Sequence, residues 1–156
     1  MKQKTILIVL LILSILGLAA SVYLAVLHYG MKDSFCDFNT QFSCTSINQS
    51  AYAVIWGVPV SVLGIFGYTF FALIPLLALL HFNFSRIHLH LTIPRLLRFY
   101  FFLICCSFLF SLYLTYLELH TINVICPLCL FSQIIIITLV FFSYIIYHRN
   151  KKEVQA

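Results

Sequence analysis

The sequence predicts an all-α integral membrane protein, a four-transmembrane-helix bundle with a long outer loop that carries a short half-helix. Three observations carry that reading. The 156-residue chain is 63% hydrophobic and 8% charged, whereas a soluble domain carries roughly 25% charged residues, so the chain cannot cover itself with water-facing side chains. Four apolar runs, 5–27, 55–80, 96–117 and 125–147, are long enough to cross a bilayer, which takes about 20 residues each. Lys2, Lys4, Arg86, Arg95, Arg98, Arg149, Lys151 and Lys152 fall between or beyond the runs on one side, and only Lys32 falls on the other, beside Asp33 and Asp37. Cytoplasmic loops retain Lys and Arg, so both termini are expected in the cytoplasm, with the chain a single membrane domain, 1–156.

Span one opens with MKQK and contains GLAAS, which together resemble a cleavable signal. A secretory apolar core runs about 7–15 residues, and this one continues through SVYLAVL, so an uncleaved helix is expected. The outer loop 28–54 follows, then span two. Gly57, Gly64 and Gly67 are at or near the spacing that lets membrane helices approach closely. Pro59 and Pro75 are expected to kink a helix or begin a turn, and Trp56 to sit at the outer interface. The connection HFNFSRIHLHLTIPRLLRFY is rich in aromatics and arginines, which suits a headgroup layer. Within it His88-x-His90 is a weak metal hint and reads better as interfacial. Span three contains Arg98 one turn from its edge, where the stem can snorkel. Tyr113 and Tyr116 read as interface or core residues that could border a pocket. Outer loop 118–124, with Glu118 and His120, leads to span four; a solvated loop is the simplest reading of His120. The net charge of +5 is not a nucleic-acid signal, because no basic run is interleaved with aromatics. No acidic or lysine residue lies at mid-membrane to mark a transport path.

The cysteines are the most informative residues. Cys36 and Cys44 lie in the first outer loop, Cys126 and Cys129 at the outer start of span four, and Cys105 and Cys106 inside span three. Outside the cytosol disulfides form and persist. Pro127 is favoured at the first position of a helix, which places Cys126 at the N-cap, facing the free N–H groups and the positive dipole end that stabilise a thiolate. Residues i and i+3 share a face, so Cys126 and Cys129 can bridge, with Cys129 one turn deeper. The chemistry this suggests is electron transfer from a thiol on the water side to a lipid-soluble oxidant such as a quinone. A structural disulfide or two packed thiols is the plainer alternative. Cys36 and Cys44 enclose DFNTQFS, where Asp37, Asn39 and Thr40 favour turns. A disulfide there is expected to be exposed and exchangeable; a loop staple is the alternative. A four-cysteine zinc site is disfavoured, because zinc pairs are typically separated by about 2–4 residues, so no metal is expected. Adjacent helical Cys105 and Cys106 point about 100° apart and are assigned to packing.

The run FCDFNTQFSCTSINQSAYAVIWGVPVSVLGIFGY, followed by YLTYLELHTINVICPLC, resembles the vitamin K epoxide reductase family in its bacterial branch. The order matches: a loop Cys, seven residues, a second loop Cys, a Ser six residues on, G-x-P-x-S-x-x-G, then C-P-x-C opening the last helix. The resemblance covers roughly residues 20 to 140, and the whole constellation is far more specific than any one part. It implies a four-helix bundle around a quinone pocket, capped by the outer loop with a half-helix from about Ile47 to Val54. It further implies that Cys129 lies next to the quinone, that Cys126 exchanges with Cys44, that Cys36 meets the thiol of a thioredoxin-fold (DsbA-like) partner, and that Ser50 is a hydrogen-bond donor at the pocket. The cofactor is then ubiquinone or menaquinone. The family's vertebrate member has Thr-Thr-Tyr after the C-x-x-C, with the Tyr on the vitamin; here the run is FSQ, with Gln133 at that position, which argues against vitamin K epoxide as substrate. The chain ends at HRNKKEVQA with no thioredoxin domain, so the redox partner is expected to be a separate protein. The function implied is a membrane thiol:quinone oxidoreductase that generates disulfides. Its rivals are a thiol-driven quinone or vitamin K reductase built on the same residues, and a non-catalytic membrane protein with two structural disulfides, which would resist reduction.

Overall fold

A computed structural model of the chain describes residues 3–30, 34–37, 39, 42–83 and 93–155; His88 and His90 lie outside the described residues. Five helices are α1 (Gln3–Gly30), α2 (Cys44–Asn48), α3 (Val60–Asn83), α4 (Ile93–Leu117) and α5 (Pro127–Gln155). Two strands, β1 (Val54–Ile55) and β2 (Val58–Pro59), form an antiparallel hairpin. Four of the helices, α1, α3, α4 and α5, are long and apolar enough to cross a membrane, and the protein is an integral membrane protein of all-α class. At a rise of about 1.5 Å per residue α1 is about 42 Å long, longer than a hydrocarbon core of about 30 Å, so its end reaches the outer cap.

Helices in lipid gain little from hydrophobicity and are held by close packing. Here α1 packs along α3, α4 along α5, and α1 bridges to α5, while α3 and α4 meet only sparsely. One end of the bundle is solid. Ile6 and Leu10 of α1, Ile74 of α3, Tyr100 and Ile104 of α4 and Leu139 of α5 are buried against one another. Pro75 lies inside α3 and has no N–H for the carbonyl four residues back. That carbonyl, Phe71 O, accepts instead from Tyr100 Oη at 3.3 Å, so a neighbouring helix satisfies the group the proline frees. Of the glycines, Gly17 has the least room: a Cβ there would fall 2.2 Å from the Tyr68 ring. The ring crosses α1 at that point, and Tyr68 Oη donates to Ser132 O of α5 at 3.3 Å.

Several sequence expectations are corrected. Span two does not start at Ile55, because residues 54–59 form the hairpin and α3 starts at Val60. Trp56 and Gly57 at its tip have φ of 50° and 81°; both central residues of a type I′ hairpin turn require positive φ. Gly57 is therefore a turn glycine, not a packing glycine. Gly64 is the packing one, since a Cβ there would fall 2.7 Å from Ser21 Oγ, whereas Gly67 meets nothing. The half-helix expected over Ile47 to Val54 is α2 followed by a 3-10 turn, Ala51–Ala53. It begins earlier because Ser43 caps it, accepting the Ser46 N–H at 3.1 Å, a side chain well suited to that task. Cys44 is thereby drawn into the helix's first turn.

Candidate active site

The second end of the bundle is hollow. A cavity of about 240 Å³ lies between α3 and α4, roofed by α2 and the 3-10 turn and walled on one side by the start of α5. Its lining is mostly apolar, and Cys44, Cys126 and Cys129 stand at its rim. Four cysteines converge here: buried Cys36, Cys44 and Cys126, with Cys129 packed against them.

Cys36 and Cys44 are joined by a disulfide. The bond is not exposed, as the loop's polarity suggested: Cys36 is 2% and Cys44 0% accessible. The reason is the residue that directly follows the first cysteine, Asp37. The Asp37 carboxylate accepts from Ser34 N–H at 3.0 Å, Thr45 Oγ1 at 2.5 Å, Thr45 N–H at 3.1 Å and Ser43 Oγ at 2.8 Å. These donors flank both cysteines, so one anion folds the loop over its own disulfide. Burial alone would push the Asp37 carboxyl up, but the hydrogen bonds from Thr45, Ser34 and Ser43 outweigh it and bring it down to about 2. Below the loop, Asn48 Nδ2 donates to Leu24 O at 2.6 Å and His28 Nδ1 to Asn48 O at 2.7 Å. The cap is thus tied to the extended end of α1.

Pro127 opens α5, and Cys126 is its cap. Cys126 O accepts the first helical N–H, from Leu130, at 3.1 Å, and Cys126 Sγ accepts the Cys129 N–H at 3.2 Å. The sulfur therefore takes the place that a serine oxygen usually holds at a helix start. Ser43 N–H donates to Ile125 O at 3.2 Å, pinning the residue before Cys44 to the residue before Cys126. That places Cys126 Sγ 3.4 Å from Cys44 Sγ. Cys126 and Cys129 are free thiols.

Ser50 lines the cavity, with its hydroxyl donated to Ile47 O at 2.7 Å. Gln133 is buried and accepts from Ser111 Oγ, and it does not line the cavity, although neighbouring Ser132 does. Tyr113 and Tyr116 are exposed on α4 and also lie away from the cavity, whose tyrosines are Tyr52 and Tyr68. Trp56 is fully exposed, Cys106 exposed and Cys105 half-buried.

Two cavity residues were not singled out from the sequence. Ser61, inside G-x-P-x-S-x-x-G, lines the cavity with a buried hydroxyl that has no hydrogen-bond partner among the described residues. Buried polar groups without partners are rare and call for explanation. The sequence places Glu118 at the start of the second outer loop. It is buried at 6% exposure, in a π-helical turn Glu118–Ile122 that ends at left-handed Asn123, and it accepts the Cys126 N–H. Its carboxylate and the sulfurs of Cys126 and Cys129 all lie within 4.8 Å of one another. The signal for it in the sequence is a lone acid eight residues before Cys126, at the end of a span, 96–117, whose one charged residue is Arg98.

The family model described as the vitamin K epoxide reductase family matches residues 8–144. No curated protein matches the chain.

Proposed function

The chain belongs to the vitamin K epoxide reductase family of membrane oxidoreductases, and from that premise we propose that it passes electrons from a thioredoxin-fold, DsbA-like partner through its two cysteine pairs to ubiquinone or menaquinone, so generating protein disulfides. The observation that carries this reading is the 3.4 Å separation of Cys44 and Cys126 sulfurs at the rim of an apolar cavity. Thiol–disulfide exchange requires a thiolate to reach a disulfide sulfur directly, and this is the contact through which the loop pair would hand electrons to the helix pair.

The cavity fits a quinone headgroup. Its volume, about 240 Å³, suits one ring system rather than a whole prenylated molecule, since pockets for larger ligands span about 300–1,000 Å³. Ser61 offers an unpartnered hydroxyl to a carbonyl oxygen, and Cys129 stands in the wall. A bound quinone supplies a two-electron, two-proton acceptor. The sparse contact between α3 and α4 supports entry from the lipid. Gln133, held by Ser111 outside the cavity wall, supports a quinone over vitamin K epoxide.

In the proposed relay the partner's thiolate attacks Cys36, which breaks the loop disulfide and frees Cys44. Cys44 attacks Cys126 in the Cys126–Cys129 disulfide, and Cys129 leaves as a thiolate. The partner's second cysteine attacks its own sulfur in the mixed disulfide with Cys36, releasing the oxidised partner and a Cys36 thiolate, and Cys36 then attacks Cys44, restoring the loop disulfide and releasing Cys126. That end state has a bonded loop pair and two free helix thiols, the bonding pattern described above. Because Cys36 is buried, the Asp37-centred loop has to open before the partner can reach it. The distribution of Lys and Arg supports an inner-membrane location with both termini cytoplasmic and the cysteine end facing the periplasm.

The test is quinone reduction by purified protein in nanodiscs, followed by quinone absorbance, with a reduced thioredoxin-fold protein as donor. Steady turnover with a ubiquinone or menaquinone analogue is expected. Absence of turnover with both analogues, with the cysteine pairs resisting reduction by glutathione, would reduce the pairs to structural staples.

A further inference from the structure

We propose that Glu118 is the proton carrier of the Cys126–Cys129 pair: its carboxyl group gives a proton to the sulfur that leaves when the pair's disulfide is opened, and takes one back when the pair is re-oxidised. This inference rests on the reading of that pair as the inner redox centre.

Position is the first argument. Glu118 is the only carboxylate lining the cavity, and no Lys, Arg or His lines it among the described residues. A buried acid without a cationic partner is costly to keep charged, so a structure that needed only a hydrogen bond to the Cys126 N–H would be better served by a neutral acceptor. The π-helical turn provides the placement, and such turns often mark functional sites. It turns the Glu118 side chain back beneath the cap of α5, where it accepts the Cys126 N–H. The titratable groups around it are few. Cys126 and Cys129 face it from the start of α5, with Cys44, in a disulfide, beyond them on α2. Tyr52 and Tyr68 line the same cavity from the 3-10 turn and α3, and α1 contributes only Ser21 and Leu24. On its own turn, His120 is exposed, its ring tilted against that of Tyr116 with centroids 4.7 Å apart.

Chemical balance is the second argument. When the Cys44 thiolate attacks Cys126, the Cys44–Cys126 bond forms and the Cys126–Cys129 bond breaks, leaving the electron pair on Cys129 Sγ. That sulfur sits in an apolar wall, and the acid within 4.8 Å of it is Glu118. Transfer of the carboxyl proton gives a Cys129 thiol and a Glu118 carboxylate. Oxidation of the dithiol, whether by a quinone or by glutathione disulfide, removes two electrons and two protons. One of the dithiol's protons returns to the Glu118 carboxylate and the other leaves to water, and the acceptor draws its own two protons from water, which has received two from the donor thiols.

The test separates this role from a structural one. Protein in nanodiscs is cycled between dithiol and disulfide with glutathione, without quinone, and infrared difference spectra are recorded for wild type, Glu118→Gln and Glu118→Asp. Gln still offers an oxygen to the Cys126 N–H, so both variants are expected to keep the fold, checked by melting temperature. A carboxyl band that responds to the redox state of the pair is expected in wild type, displaced in Glu118→Asp and missing in Glu118→Gln. Quinone turnover by Glu118→Gln is expected to fall by about 100-fold or more, the usual contribution of a positioned acid–base group, with a flattened pH profile, while Glu118→Asp keeps part of the rate. A Glu118→Gln protein that retains the band, or that matches the wild-type rate and pH profile, overturns the proposal. If wild type shows the band but reduces no quinone, the quinone reading falls and the proton role of Glu118 stands.

Discussion

The two ends of the bundle are built on opposite rules. At one end Ile6, Leu10, Ile74, Tyr100, Ile104 and Leu139 fill the space between four helices, and even the carbonyl freed by Pro75 finds the Tyr100 hydroxyl. At the other end the same helices enclose a cavity, leave the Ser61 hydroxyl without a partner and bury a carboxylate beside two thiols. The difference teaches where stability and chemistry reside. The solid end holds the helices in register, so that the hollow end can keep empty space and unpaired polar groups that would otherwise collapse or be replaced.

The sharpest way to break that comparison is at the sulfurs. Cys129→Ser should abolish quinone reduction while the Cys36–Cys44 disulfide still exchanges with a reduced thioredoxin-fold protein, scored by trapping the mixed disulfide on a gel. Its melting temperature should stay near wild type. A mutant that still reduces quinone would reverse the assigned order of the cysteines.

Leu139→Ala does the converse. It empties part of the solid end, and large-to-small core changes cost about 2–5 kcal/mol, so thermal unfolding in detergent should shift sharply downward. Turnover per folded molecule should change little. Equal losses of stability and turnover would mean that the two ends are not separable.

Asp37→Asn addresses the loop. Removing the charge weakens at least one charged hydrogen bond, each worth about 1.5–3 kcal/mol, so reduction of the buried Cys36–Cys44 disulfide by dithiothreitol should speed up about tenfold. The pH dependence has a definite sign. The folded carboxyl sits at about 2, below its unfolded value of about 3.9, so its stabilisation of the loop is fully present above about pH 4 and is lost as pH falls towards 2. Protection of the disulfide that already fades between pH 7 and 5 would assign the clasp to another group.

Ser61→Ala should have the smallest effect. It removes a buried group with no partner, so stability should hold or rise slightly. The lost hydrogen bond to a quinone oxygen, about 1 kcal/mol, should raise the quinone KM about fivefold. An unchanged KM would place the headgroup elsewhere in the cavity.

Much of the architecture was legible because it depends on quantities that run along one dimension. Apolar length marked four spans, and Pro127 marked the start of α5 with Cys126 at its cap. Errors came where local signals compete. Ile55 extended an apolar run, but Gly57 and Pro59 direct the chain into a hairpin before α3. The polar loop around Cys36 looked solvent-exposed, because its serines and Asp37 satisfy one another instead of water, which composition does not register. Glu118 was misplaced for the same kind of reason: an acid at the edge of a span is ordinarily solvated, and only the π-helical turn brings it under the cap of α5.

By itself the sequence determined the membrane class, the presence of four apolar spans, and the gathering of four cysteines near one end, since burial in lipid follows from helix length and polarity alone. Tertiary structure decided which sulfurs meet. Cys44 and Cys126 are 82 positions apart, and their contact depends on the Ser43–Ile125 hydrogen bond, on the cap that Cys126 Sγ provides to α5, and on the ties from Asn48 and His28 to α1. Reactivity between groups varies over ångströms, whereas sequence spacing is read in turns and spans, and only packing converts the second into the first.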